Sequence, residues 1–262
     1  MIDLHCHILP GVDDGANSLE EAVAMARMAK NNGIFTMFAT PHYIEGMGYE
    51  DANSVWIILE KLNSELEDRG IDVKIFQGRE VYSSPDVLKL LDEGKISTLN
   101  KSKYMLIELP MHDIPMYIDT MIYNLRLKGI IPIIAHPERN TKIIEDPNIL
   151  YNFISKGVLA QLNLPSLLGR YGKRVKRTAE ILLKHDMIHF IGTDAHRPSE
   201  RYYAVNEALI IMNDLIGEEK TSKIVENNSE KIISGNHIDI DEPKLYELER
   251  GIKKFFNSLL KK

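Results

Sequence analysis

The chain has one cysteine and one tryptophan in 262 residues, no excess of positive charge and no long apolar run, and each shortage removes a class of protein. A lone Cys6 permits neither an internal disulfide nor a cysteine-only zinc site, which fits a reducing compartment. A net charge of -6 and an isoelectric point near 5.9 supply no basic field for wrapping a nucleic-acid backbone, so no nucleic-acid partner is expected. No uninterrupted apolar run approaches the roughly 18 residues that span a bilayer. The opening MIDLHCHILP lacks the basic and apolar regions of a secretory leader, so a cytoplasmic protein without a transmembrane segment is expected.

What is present is the composition of an ordinary globular domain, 44% apolar and 27% charged. Short apolar runs recur between amphipathic stretches of helical period: IDLHCH, FTMFATPH, VKIFQGRE, KYMLIELP, IIPIIAHP, VLAQLN and MIHFIGTDAH. Strands alternating with helices imply parallel pairing, in a (β/α) barrel or a doubly wound sheet, and no repeat, linker or domain boundary divides residues 1–262. The first helix is marked by the capping-box spacing of Ser18 and Glu21, an apolar face of Leu19, Ala22, Val23, Ala26 and Ala29, and a stop at Gly33. Further helices are expected near 50–69, 114–128, 146–156, 173–186 and 199–215, with two more beyond.

The chemistry gathers where the strands end. Six of the seven runs close on side chains that bind metals: His5 and His7, His42, Glu80, Glu108, His136, then Asp194 with His196; the sixth run closes on Asn163. In a parallel barrel all carboxyl ends meet at one face, so these distant residues would converge there. The period of a strand sends Asp3, His5 and His7 to one face and Leu4 and Cys6 to the other, which makes Cys6 a packing residue. One histidine at a strand end is ordinarily structural; a full set of them is the pattern of a multinuclear metal site. Imidazoles and carboxylates without thiolate suit manganese, iron, zinc or magnesium, and Glu80 or Glu108 could bridge two ions. Such ions lower the pKa of a shared water and neutralise phosphoryl oxygens during in-line attack. A cysteine phosphatase needs an arginine six residues after its nucleophile, and that position holds Val12.

Arg139, in HPERN after the fifth run, and Arg201, beyond His196, are placed to grip phosphate through their forked donors. Arg79 faces away from its neighbour Glu80 and reads as structural, as do His112, His185, His189 and His237, which lie off the strand ends. The basic stretch 170–177 reads as a solvated helix start. The basic amphipathic stretch 251–262 suits packing against the barrel or a sister subunit, or a membrane surface.

Taken in order, DLHCHILPGVDDGA, ATPHY, GREVY, IELP, IAHPERN, QLNLPSLLGRYGK and GTDAH resemble the PHP family (polymerase and histidinol phosphatase). Within it they are most similar to bacterial manganese-dependent protein-tyrosine phosphatases that act on capsular or exopolysaccharide tyrosine kinases. The resemblance implies a distorted TIM-like (β/α)7 barrel with three metal ions. One ion would lie among His5, His7, Glu80 and Asp194, a second among Glu80, Glu108 and His136, and a third among Asp14, His42 and His196. Asp14 enters on resemblance alone, because Asp13 beside it is chemically equivalent. Arg139 and Arg201 match phosphate-binding positions of the family.

The implied function is hydrolysis of phosphotyrosine on a protein, a bacterial tyrosine kinase being the expected partner. Histidinol phosphate is the rival substrate, and a non-catalytic metal-binding regulatory module is the rival of another class. A wide mouth rimmed by Tyr43, Tyr117 or Tyr171 would favour a peptide, a deep closed pocket the small amine.

Overall fold

The computed structural model describes residues 1–47, 49, 51–198 and 205–247. The seven apolar runs become nine parallel strands, because two of the runs break. They are β1 (Ile2–Cys6), β2 (Thr36–Ala39), β3 (His42–Tyr43), β4 (Lys74–Gln77), β5 (Glu80–Tyr82), β6 (Tyr104–Glu108), β7 (Ile131–Ala135), β8 (Leu159–Asn163) and β9 (Phe190–Gly192). Pro41 has no N–H for a ladder and interrupts the second run. Gly78 interrupts the third at a close approach, since a Cβ there would lie 2.7 Å from Leu99 and 2.9 Å from Thr40.

The order is β1-β2-β4 in one sheet and β3-β5-β6-β7-β8-β9 in the other. The third run, β4 plus β5, belongs to both, and the outer edges meet through the parallel bridge Cys6–Ala195, reinforced by His7 N to Ala195 O at 2.9 Å. The circuit of seven strand positions is thereby closed, a distorted (β/α)7 barrel.

Strand register separates two cores. Phe38, Leu106, Ile133, Leu159 and Phe190 fill the barrel, while the intervening Met105, Ile107, Ile134, Ala160 and Ile191 face outward and pack with helical residues such as Ala22, Leu125 and Leu182. On β1 the expected alternation fails: Ile2 and Leu4 join the interior cluster, Cys6 joins the outer one, and the pairing with β2 shifts between Asp3 and Cys6. That irregularity lets Leu4 and His5 both serve the interior at different heights, a β-bulge effect that a period of two cannot anticipate. Asp3 is left behind the strand, accepting from Thr193 N, Thr193 Oγ1 and His5 N, and stands apart from the histidines.

The longer helices fall where periodicity puts them, α1 (Leu19–Asn31), α2 (Ala52–Asp68), α4 (Tyr117–Leu127), α6 (Asn148–Ser155), α8 (Lys173–Lys184), α9 (Val205–Ile216), α10 (Glu218–Ser222) and α11 (Asn228–Ile233), while the short α3 (Val87–Asp92), α5 (Thr141–Glu145) and α7 (Leu164–Leu167) were not expected from it. In α1 the Ser18 side chain accepts from Glu21 N, while Glu21 reaches back to Asn17 N; Leu19, expected on the apolar face, is instead partly solvent-exposed. Residues 170–177 run from the turn before α8 into its first, partly exposed turns. The stretch 251–262 and the residues 199–204 lie outside the described residues. Among the described residues no helix is long and apolar enough to cross a membrane.

Candidate metal centre

Above the apolar plug, the carboxyl ends of β1, β6, β7 and β9 carry His5, His7, Glu108, His136, Asp194 and His196, the starts of β3 and β5 bring His42 and Glu80 to the same face, and the loop after β1 adds Asp14. Glu80, at the start of β5 and fully buried, is the hub. Its Oε2 lies 3.1 Å from His5 Nε2, 3.2 Å from His7 Nε2 and 3.0 Å from His42 Nδ1, and its Oε1 lies 2.9 Å from His136 Nε2. Asp194 Oδ1 stands 3.7 and 3.4 Å from His5 and His7, while Glu108 reaches His42 and His136 at 3.8 and 3.9 Å. Asp14 Oδ1 sits 3.7 Å from His42 and 3.3 Å from His196. Three overlapping groups result, His5/His7/Glu80, His42/Glu80/Glu108 and His7/Asp14/His42/His196, with candidate ligand atoms of each group within 4.8 Å of one another.

This donor set fits divalent cations. It offers only imidazole nitrogen and carboxylate oxygen. His42 Nδ1 and Glu80 Oε2, both buried and 3.0 Å apart, form no well-aligned hydrogen bond among the described residues, an arrangement costly to leave without a positive charge between them. His136 and Asp194 also hold left-handed backbone conformations, with φ of 32° and 51°. Strain of this kind persists where the surroundings over-determine a functional geometry.

Electrostatics follow the crowding. Burial pushes His5 toward neutrality, yet the charges of Glu80 and Asp194 outweigh it and raise its pKa. Burial acts the same way on His7, but hydrogen bonds to Asp13, Asp194 and Glu80 carry it well above the ordinary value. Glu108 is raised, first by burial and then by the charge of Glu80 across the site.

The pair Asp13 and Asp14, equivalent in sequence, divides. Asp13 is buried behind His7, accepting from its Nδ1 at 2.7 Å and from the backbone N–H groups of Gly15 and His42; despite burial, His7 lowers its pKa to about 2. Asp14 is largely exposed and turns toward His42 and His196. Sequence reasoning missed Asp13 as an orienting group, along with Gln161, Asn163 and Glu138. Glu138 is fully buried, and its Oε1 accepts from Asn163 N and Ser166 Oγ. Alternating polar residues in an otherwise apolar run, QLN, were the available signal for the middle two.

A cleft of about 400 Å3 opens over the cluster, lined by Asp14, His42, Glu108, His136, Arg139, Asp194, His196 and Arg197. Arg139 donates to Asp194 Oδ2 at 2.8 Å and lies over the Tyr171 ring at 4.6 Å, so it is held at the mouth by an ion pair and a cation–π contact. Arg201 lies outside the described residues; Arg197, which the sequence did not single out, donates to His196 O at the same rim. None of Tyr43, Tyr117 and Tyr171 lines the cleft. Tyr43 is buried under the Arg79 guanidinium, Tyr117 donates to Ser83 O, and Tyr171 supports Arg139 from behind. His112 pairs with Thr141, His185 with Ile181 O, and neither these nor His189 and His237 join the cluster.

A parallel barrel with an imidazole and carboxylate cluster at the carboxyl ends of its strands defines a metal-dependent hydrolase architecture. Comparison narrows the class. The chain belongs to the CpsB/CapC family of capsular polysaccharide synthesis, whose family model matches residues 1–234. It is 38% identical to the tyrosine-protein phosphatase YwqE of Bacillus subtilis over 227 residues, 87% of this chain and 89% of that protein. It superposes, with a TM-score of 0.90 and 36% identity over 95% of this chain and 100% of the other, on a crystal structure from work on YwqE of Bacillus subtilis and CpsB of Streptococcus pneumoniae, described as unique metal-dependent tyrosine phosphatases. Histidinol phosphate phosphatase of Lactococcus lactis shares the fold alone, with 15% identity and a TM-score of 0.54 over 86% of this chain and 94% of that one.

Proposed function

We propose that this chain is a metal-dependent tyrosine-protein phosphatase that removes phosphate from tyrosine on a protein. Its physiological partner in this reading is a bacterial tyrosine kinase of capsular or exopolysaccharide synthesis, met in the cytoplasm, and the whole chain acts as one catalytic domain. The observation that carries the reading is the convergence of eight further candidate ligands around the buried Glu80 beneath an arginine-bearing mouth, in a chain 38% identical to a tyrosine-protein phosphatase.

In this proposal His5, His7, Asp14, His42, Glu80, Glu108, His136, Asp194 and His196 hold three divalent ions, manganese in the first instance. Bound there, the ions supply the activated water and neutralise charge on the phosphoryl group. Glu80 would help to hold more than one ion, since its two oxygens face different imidazoles. Arg139 receives a phosphate oxygen with its planar fork, pre-oriented by Tyr171 and Asp194, and Arg201 joins it. The open, polar cleft admits a phosphate carried on a larger molecule.

The test is the initial rate on a phosphotyrosyl peptide and on histidinol phosphate, using chelated protein reconstituted with Mn2+. Preference for the peptide is expected. Preference for histidinol phosphate would replace the substrate, and turnover of neither would turn the site into a regulatory metal module.

A further inference from the structure

Strand β8 carries no candidate ligand, yet its interior-facing side chains touch the cluster at both ends. His5 Nδ1 lies 2.9 Å from Gln161 Oε1, Gln161 Nε2 donates to Asn163 Oδ1 at 2.9 Å, and Asn163 Nδ2 donates to Asp194 Oδ2 at 2.8 Å. All four side chains are buried. We propose that Gln161 and Asn163 are positioning residues, forming a one-way relay that fixes the ring orientation and protonation pattern of His5 from the carboxylate of Asp194. The proposal rests on the reading of His5 and Asp194 as metal ligands.

The direction of the relay follows from chemistry. An ionised carboxylate only accepts, so Asn163 must present its NH2 to Asp194 and its oxygen to Gln161. Gln161 must then present its NH2 to Asn163 and its oxygen to His5. An oxygen facing His5 Nδ1 requires a proton on that nitrogen, which leaves His5 Nε2 to aim its lone pair at the space shared with His7 Nε2, 3.0 Å away, and Glu80 Oε2, 3.1 Å away. Reversing either amide would set oxygen against oxygen at one end or two donors at the other. The same chain of bonds occupies Asp194 Oδ2, together with Arg139, and leaves Oδ1 turned toward His5 and His7.

Backbone features around β8 are shaped to hold this geometry. Gly192 pairs with Asn163 across the sheet, and a Cβ there would lie 2.5 Å from His5 Cβ and 2.8 Å from Gln161 Nε2. Glu138 Oε1 accepts from Asn163 N and pins the end of the strand to the turn that carries Arg139. The loss of groups that orient a ligand from behind typically costs 10–100-fold in metal affinity or activity.

The experiment has two arms on the full chain. In 15N-histidine spectra of the wild type, metal-free and titrated with Zn2+, neutral His5 is expected to carry its single proton on Nδ1 throughout. An Nδ1 without a proton would overturn the relay, and this readout requires no variant to fold. In Mn2+ titrations, Gln161→Met should bind about 10–100-fold more weakly than wild type. Gln161→Glu, which keeps an acceptor for His5, should lose less. Wild-type affinity in Gln161→Met, or equal losses in the two variants, would overturn the relay. If Zn2+ moves no histidine resonance, the ligand assignment fails, and the Nδ1 proton still decides the relay by itself.

Discussion

His5 and His189 are both buried histidines of one barrel, and they sit in opposite electrostatic worlds. His5, at the carboxyl end of β1, has Glu80 and Asp194 within 3.1 and 3.7 Å, and their charges raise its pKa against the effect of burial. His189 precedes β9 at the amino end of the barrel, beside a cavity of only about 20 Å3. Its Nδ1 accepts from Ala160 N and its Nε2 has no hydrogen-bond partner among the described residues; burial first, then the charge of Lys223, lowers its pKa to about 4. The same residue type at the same depth therefore stores charge at one end and excludes it at the other. In parallel barrels the first end does chemistry and the second supports stability.

The largest effect is expected at the hub of the charged end. Glu80→Gln keeps the shape but removes the charge that four imidazoles share, so bound metal, measured by elemental analysis, should fall and turnover should drop by at least about 1000-fold. Full activity with full metal would dissolve the shared-ion arrangement. Next comes Arg139→Ala, for which kcat/KM should fall by about 10–1000-fold while metal content stays near wild type. A parallel loss of metal would show that Arg139 acts by holding Asp194 instead of substrate.

At the uncharged end the expected effect is on stability and depends on pH. Folded His189 stays neutral down to about pH 4, whereas the unfolded chain takes up the proton near 6.5. Between these values the unfolded state binds more protons, so stability falls as pH drops from 6.5 to 4 and levels below. At about 1.4 kcal/mol per pH unit the loss approaches about 3 kcal/mol. His189→Asn retains an acceptor for Ala160 N, and its unfolding curves in urea should show a flatter decline over that window. An identical decline in both proteins would remove His189 as its cause. The smallest effect is expected for Cys6→Ser, whose side chain belongs to the outer apolar core and to none of the candidate metal-ligand groups: turnover should persist, with at most about 1–3 kcal/mol lost from burying a hydroxyl, and an inactive, folded, metal-loaded variant would give Cys6 a role in the chemistry.

Much of this contrast was legible in the residues. Six runs ending in His, Asp or Glu announced convergence because parallel strands share one carboxyl-terminal face, and the histidines off the strand ends were correctly left out of the cluster. Helix positions were legible from a 3.6-residue period, which is local. The bulge in β1 was not, since it depends on how β2 and β9 pair with that strand, and so Leu4 and Asp3 were placed on the wrong faces. Nor could the mouth be read: the tyrosines offered as its rim are engaged by Arg79, Ser83 O and Arg139, partners that only folding brings near.

The sequence by itself determined the seven apolar runs that make the barrel wall, the type of donor gathered around them and the absence of thiolate, because each depends on residue identity and short-range period. Tertiary structure alone decided that Asp13 stands behind His7 while Asp14 faces the cleft, that Glu80 sits among four imidazoles, and that the strand without a ligand holds His5 and Asp194 through two amides. Hydrogen-bond direction and distance are set between residues as far as 190 positions apart in the chain, and no local pattern encodes them.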